Sequence, residues 1–337
     1  MLFSKHKSIV GVDIGTGFIK IAQISHGQQN ILDTYGIVNA AVSFDNNPSQ
    51  TAVLAAADIL KRLISEARVT AKQCVVSLPN NAVFSSIVDM PDMPETELES
   101  AIQFEAKKYV PLPLTEVILS WSVVSKHPEG GKQKVLLIAV PKQIQENYIQ
   151  LFGLTGLELS IIEIEALALI RSLSQQPLQN SVIIDIGARN TGLNVFVDGV
   201  LQLTRNLNIG GDTITDTIAK TLNISKARAE QFKKDFGLSD AGFIPEAVKP
   251  VMATIKNEVK QLVSVYATRS VPIQKIVIVG GGAQLPGIVE FFNDLGVPVS
   301  FGDPLAGLSF NTEAAKVMDR YKLQLPIAVG LALRQTS

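Results

Sequence analysis

Gly11-Val12-Asp13-Ile14-Gly15-Thr16-Gly17-Phe18-Ile19-Lys20 is the stretch on which the reading of this chain turns. Ser8–Ile14 is largely apolar and predicts a short buried strand. Glycines at 15 and 17 let the backbone turn at no steric cost, and a second strand leaves at Phe18. Such a turn brings backbone N–H groups near an anion, with a hydroxyl from Thr16 and a positive charge from Lys20. Asp13, at the strand's end, is placed to hold a metal. Taken alone, the stretch reads as well as a plain hairpin turn. Two common phosphate motifs do not fit: G-x-G-x-x-G needs glycine where Lys20 stands, and G-x-x-x-x-G-K-[ST] does not occur.

The pattern recurs in Ile183-Ile184-Asp185-Ile186-Gly187-Ala188. Asp13 and Asp185, Gly15 and Gly187, and Gly27 and Gly199 are all 172 residues apart. Three landmarks in one register point to duplication. Carboxylates on two related turns would hold Mg²⁺ through water, since that ion dehydrates reluctantly and leans on phosphate oxygens. The other reading is that Asp13 and Asp185 cap their own turns.

With 337 residues there is room for two domains or one duplicated domain. The chain is 46% hydrophobic and 18% charged, with a formal net charge of −1, and so lacks the basic excess of a nucleic-acid binder. The single cysteine, Cys74, rules out an internal disulfide, fits a reducing compartment and reads as a small buried hydrophobe. His6, His26 and His127 show no metal-ligand spacing. The leader Met1–Lys7 has no apolar run behind it, and nothing approaches the ~20 apolar residues of a bilayer span. A cytosolic protein is expected.

Outward from the first turn, strands are expected at Phe18–Ser25 and 29–38, a helix over 49–69, and a buried strand at Cys74–Leu78 closed by Pro79-Asn80-Asn81. Residues 83–163 then read β-α-β-β-α-β, a compact insertion. Its first helix has Leu98, Ala101, Ile102, Ala106 and Tyr109 on one face, and Glu95, Glu97 and Glu99 in its first turn. Residues 164–174 form a small-residue helix, and 181–209 repeat the opening. Residues 212–270 are helical, and a strand at Ile276–Val279 ends in Gly280-Gly281-Gly282, suited to close approach of a base or ribose. Pro326–Ala332 is a second small-residue helix. Ala166, Ala168, Ala328, Gly330 and Ala332 would let the two cross closely and form a hinge, or simply pack in a core. Glu230 and Lys233 form an i, i+3 pair whose plain reading is a solvated helix face.

These residues, in this order, resemble the actin-like ATPase superfamily over essentially the whole chain. Val12–Gly17 with Lys20 looks like its first phosphate motif, Ile184–Gly187 like its second, and Gly280–Gly282 like its adenosine motif. Glu163–Leu173 and Pro326–Ala332 resemble its connecting helices, and Glu230 and Lys233 fall where a helix approaches the adenosine. Within the superfamily the chain looks like the branch of FtsA and the type IV pilus assembly family PilM. The Leu2-Phe3 leader, the Ile-Asp-Ile-Gly-Ala second motif and Arg205-Asn206-Leu207-Asn208-Ile209-Gly210-Gly211 carry that likeness. An end at Arg334–Ser337, without a basic amphipathic tail, favours PilM over FtsA.

The resemblance implies an α/β fold: a duplicated, ribonuclease-H-like ATPase core with an inserted subdomain. Residues 1–82 would form the first core, with 164–175 and 320–337 returning to it. An SHS2-like partner-binding insertion would span 83–163, and a second core 176–319 with a helical subdomain at about 212–270. It implies ATP bound by Gly15, Thr16, Gly17, Lys20, Gly187, Ala188, Arg189, Asn190, Gly210, Gly211, Glu230, Lys233 and Gly280–Gly282. Mg²⁺ would be held at Asp13 and Asp185, and Glu165 would be the catalytic candidate of at most a weak ATPase. Arg189 departs from the small or polar residue usual there, and would either pair with a phosphate or obstruct the site.

The implied role is a cytoplasmic scaffold of the pilus inner-membrane platform. It would bind the N-terminal peptide of the membrane protein PilN between the first core and the insertion, together with other platform proteins and through self-association. It would reach the membrane only through partners. The alternatives are an FtsA-like membrane filament and a small-molecule kinase, for which Asp89 and Asp92 are the candidate substrate carboxylates.

Overall fold

Each glycine turn opens a sheet of the same design. In the computed structural model, which describes residues 7–40, 48–127, 131–176, 178–239, 243–310 and 318–335, β1 (Lys7–Ile14), β2 (Phe18–His26) and β3 (Ile31–Asn39) form an antiparallel meander. β4 (Gln73–Leu78) then joins β1 in parallel, and β8 (Glu158–Ile164) joins β4, giving the order β3-β2-β1-β4-β8. In the second half, β9 (Ser181–Ile186), β10 (Thr191–Val197) and β11 (Val200–Leu207) repeat the meander. β12 (Lys275–Val279) and β13 (Val299–Phe301) repeat the parallel strands, giving β11-β10-β9-β12-β13. The duplication reaches fine detail. The β2–β3 ladder slips between Gln23 and Ile24, and the β10–β11 ladder slips at the positions 172 residues on, Val195 and Phe196. The leader's Leu2-Phe3 lies outside the described residues.

Strands covered on both faces read as unbroken apolar runs. Accordingly Ile9, Val10 and Val12 in β1 and Val182, Ile183 and Ile184 in β9 are fully buried, as is Cys74. Two helices cross between the sheets: α4 (Glu165–Ser172) and the short helix Pro326–Ala332. Their small residues are needed. A Cβ on Gly330 would overlap the Ala168 carbonyl, and one on Gly11 would overlap that of Ala328. Arg171 locks the crossing. Its guanidinium donates to both carboxylate oxygens of Glu163, at 2.6 and 2.9 Å, and to the Gly330 carbonyl at 2.6 Å.

The insertion shares the order of elements read from the sequence, but not the membership. β5 (Phe84–Pro91), β7 (Lys132–Pro141) and β6 (Val117–His127) form a separate three-stranded sheet in the order β5-β7-β6. α2 (Glu95–Ala106) covers one face through Leu98, Ile102 and Ala106, packed on Val135, Leu137 and Ala139. Tyr109 is exposed, because the helix ends before it. α3 (Lys142–Thr155) and β8, expected to close the insertion, instead belong to the first core. Tyr148, Leu151 and Phe152 pack with Val53, Leu60 and Leu63 of α1 (Gln50–Glu66), and β8 takes the free edge of β4. A strand that joins that edge in parallel must return through a crossover, and α3 forms its last part.

Among the described residues, the second half carries the helices α5 (Gly211–Leu222), α6 (Lys226–Phe236) and α7 (Phe243–Thr268), and a short helix at Ile288–Phe292.

Candidate functional site

Both turns are closed by the same hydrogen bond. The Gly15 N–H donates to the Phe18 carbonyl at 3.0 Å, and the Gly187 N–H donates to the Asn190 carbonyl at 2.9 Å. The turns face each other: a Cβ on Gly17 would lie 2.5 Å from the Cβ of Ala188. Between the halves opens a cleft of about 1020 Å³, as large as any ordinary small-molecule site. Asp13, Gly15, Thr16, Gly17 and Lys20 line it from the first half. Asp185, Gly187, Ala188, Arg189, Asn190, Gly211, Glu230, Lys233 and Gly280–Gly282 line it from the second, and Glu165 stands at the start of α4 between them.

Gly210 alone of the expected residues does not line the cleft. It packs beneath the second turn, where a Cβ would come 2.6 Å from the Ala188 carbonyl oxygen. Its role is to let that turn sit on α5, whose Gly211 and Asp212 amides donate to the Gly187 and Ala188 carbonyls. Arg189 is half-exposed at the rim, 3.7 Å from Asp212. Asp89 and Asp92, the expected candidate substrate carboxylates, lie outside the cleft lining, near Lys134 and Lys126 on the insertion's surface.

The floor is electrostatically unbalanced. Lys20 stands directly opposite Asp13 across the hairpin and donates to it at 2.7 Å. The counterpart position in the second half, opposite Asp185, is Gly192. Asp13, Asp185 and Glu165 therefore share one ammonium. Desolvation and the neighbouring carboxylate charges push Glu165 up to about 8. Desolvation, together with Asp13 and against Lys20, pushes Asp185 up to about 6. Burial acts to lower Lys20, but the charges of Asp13, Asp185 and Glu165 outweigh it and hold its pKa above the ordinary value.

On the far wall, Glu230 is held below the ordinary carboxylate range. Burial opposes this, but hydrogen bonds from Lys233 and Thr215, with the charges of Lys233 and Lys234, win. Lys233 also donates to the Gly211 carbonyl at 3.1 Å, so the pair is a wall of the cleft rather than a solvated helix face.

Three lining residues belong to no charged or glycine motif of the sequence: Pro79, Asn80 and Asn81. They follow β4 as Gly280–Gly282 follow β12, and the duplication was the signal that would have found them. The Asn80 N–H donates to Glu165 Oε2 at 3.1 Å.

The family described as type IV pilus assembly protein PilM matches residues 11–336. The chain belongs to the PilM family. The PilM-PilN type IV pilus biogenesis complex superposes with a TM-score of 0.86 at 24% identity, over 97% of this chain and 98% of that one. MreB5 of Spiroplasma citri bound to AMPPNP shares the actin-like fold with a TM-score of 0.52 at 17% identity, over 93% and 96%. Among sequences, the cell division protein FtsA of Streptococcus pneumoniae serotype 2 (strain D39) is 24% identical, over 85% of this chain and 73% of its own. PilM, MreB and FtsA relatives together place the chain in the actin-like ATPase superfamily. Among the described residues no helix is long and apolar enough to cross a membrane.

Proposed function

We propose that the chain is an ATP-binding scaffold of the type IV pilus inner-membrane platform, and that its cleft holds Mg-ATP. The facing of two hydrogen-bond-matched glycine turns across one cleft carries this reading, because it offers the β- and γ-phosphates backbone from both halves. Gly15, Thr16 and Gly17 would take one side of the phosphates, and Gly187, Ala188, Arg189 and Asn190 the other. Lys20 would turn from Asp13 to a phosphate oxygen. Gly211, Glu230, Lys233 and Gly280–Gly282 would receive the ribose and base.

The residues fit a divalent cation by charge, since three floor carboxylates face one ammonium. Among the described residues no three acidic, histidine or cysteine side chains cluster tightly enough to hold a metal alone. Asp13 and Asp185 would hold Mg²⁺ through water, with the phosphates completing its shell. When bound, Mg²⁺ supplies the positive charge that lets the phosphates sit over carboxylates. Glu165, facing the floor, is the group that would orient a water for slow hydrolysis.

The PilM-PilN complex supports a PilN-type partner, and the segment bound would be its cytoplasmic N-terminal peptide. The insertion offers it a seam: Ile87, Val124, Ile138 and Val140 turn toward the first core and are only partly buried. Binding would hold the chain at the inner face of the membrane, alongside other platform proteins or further copies of itself.

Calorimetric titration with Mg-ATP tests the site. Asp13→Ala and Asp185→Ala should each weaken Mg-ATP binding by about ten-fold or more in a folded protein, and unchanged affinity in both rejects it. A pull-down with a PilN N-terminal peptide tests the scaffold, which fails if nothing is captured with or without Mg-ATP.

A further inference from the structure

Asn80 stands where three parts of the molecule meet. Its backbone N–H holds Glu165 Oε2. It opens a single 3₁₀ turn, Asn80–Ala82, that leads directly into β5, the first strand of the inserted sheet. Its side chain crosses to the second half: a methyl placed on Gly192 would lie 3.5 Å from Asn80 Nδ2 and 3.6 Å from Asn194 Nδ2. Gly192 is the counterpart of Lys20, so the missing side chain leaves a notch beside Asp185 that the amide enters.

Two polar atoms at this notch have no protein partner. Asn80 Oδ1, from the first half, is a buried acceptor without a donor, and Asn194 Nδ2, from the second, is a buried donor without an acceptor. The other end of the Asn194 amide is fixed, because its Oδ1 accepts from Thr204 at 2.9 Å. Buried polar atoms left unpaired are costly, and an unused acceptor from one half beside an unused donor from the other, at the same notch, favour any movement that joins them.

We infer that Asn80 is the positioning residue that couples the nucleotide cleft to the inserted sheet, holding Glu165 through its backbone and latching onto the Asn194 amide in the Gly192 notch when the halves close. The inference rests on the cleft being an ATP site. On closure Asn80 Oδ1 accepts from Asn194 Nδ2, and the turn at Asn80–Ala82 carries the shift into β5. The insertion is thereby given a physical reason to respond to a ligand it does not touch.

Amide hydrogen exchange on the full chain, with and without Mg-AMPPNP, tests this. In the wild type the analogue should protect the two glycine turns and also slow exchange in Asn80–Ala82 and β5 by about five-fold, the low end of typical coupling. In Asn80→Ala and in Gly192→Val, which fills the notch, protection of the glycine turns should persist while β5 no longer responds. Gly192→Ala, whose methyl makes only ordinary contacts, should behave as wild type. Persistent protection of β5 in both Asn80→Ala and Gly192→Val overturns the inference, as does a wild-type β5 that never responds. If the wild-type glycine turns show no protection, the ATP reading itself fails, and the coupling falls with it.

Discussion

Glu165 and Asp185 carry protons that ordinary carboxyls would have lost, and this sets how the ligand-free protein answers to pH. In the folded protein burial and neighbouring carboxylates push them up to about 8 and about 6, whereas in the unfolded chain both release their protons near pH 4. Between those limits the folded state binds more protons than the unfolded one, so stability falls as pH rises. Most acidic residues act the other way. Measured against Glu165→Gln, the melting temperature of the ligand-free protein should therefore decline from about pH 4 to about pH 8, with Glu165 contributing on the order of 5 kcal/mol across the window. Glu165→Gln should flatten the decline and raise stability at the alkaline end. A difference between wild type and Glu165→Gln that stays constant through this window would show that the floor is not strained by like charge. The Asp13–Lys20 pairing could have been read from the sequence, since a turn over Gly15–Gly17 sets 13 opposite 20. The raised carboxyls could not, because they depend on Glu165 arriving from α4, some 150 residues away in sequence.

At the scale of elements, the crossing of α4 with Pro326–Ala332 is where a small change should do most damage. Gly330→Ala puts a methyl onto the Ala168 carbonyl, and neither helix can retreat from the sheet it covers. A loss of about 3 kcal/mol or more in urea denaturation is expected, at the upper end of overpacking costs. A loss below 1 kcal/mol would mean the helices slide freely. The alanines and glycines of these two helices announced the close crossing, because only small side chains allow it. The sheet membership of β8 was not legible in the same way. Its residues suit either sheet, and the choice was made by the unpaired edge of β4, a fact about the assembled fold. Asn80 and Asn81 were equally silent, being neutral amides in no charged motif, visible only once β4 is matched to β12.

For the molecule as a whole, the two halves are alike in topology but not in charge. Lys20 neutralises Asp13 in the first half, while Gly192 leaves Asp185 without a counterpart in the second. At neutral pH a polyanion entering between them meets Asp185 ionised and without a lysine of its own, while Glu165, pushed up to about 8, keeps its proton. The cleft should therefore discriminate between ATP with and without its metal. Removing Mg²⁺ with a chelator should weaken ATP binding by about ten-fold or more, the effect of roughly 1.4 kcal/mol. Asp185→Asn removes the unbalanced charge while keeping the shape. In that variant metal-free ATP should bind more tightly than it does to wild type, and the metal dependence should shrink. Calorimetric titration of both proteins, each with and without Mg²⁺, separates the outcomes. Equal metal dependence in the two would mean that the phosphates are held by backbone alone and that Asp185 only caps its turn. A reduced dependence in Asp185→Asn would tie the metal to the half of the duplication that lacks a lysine.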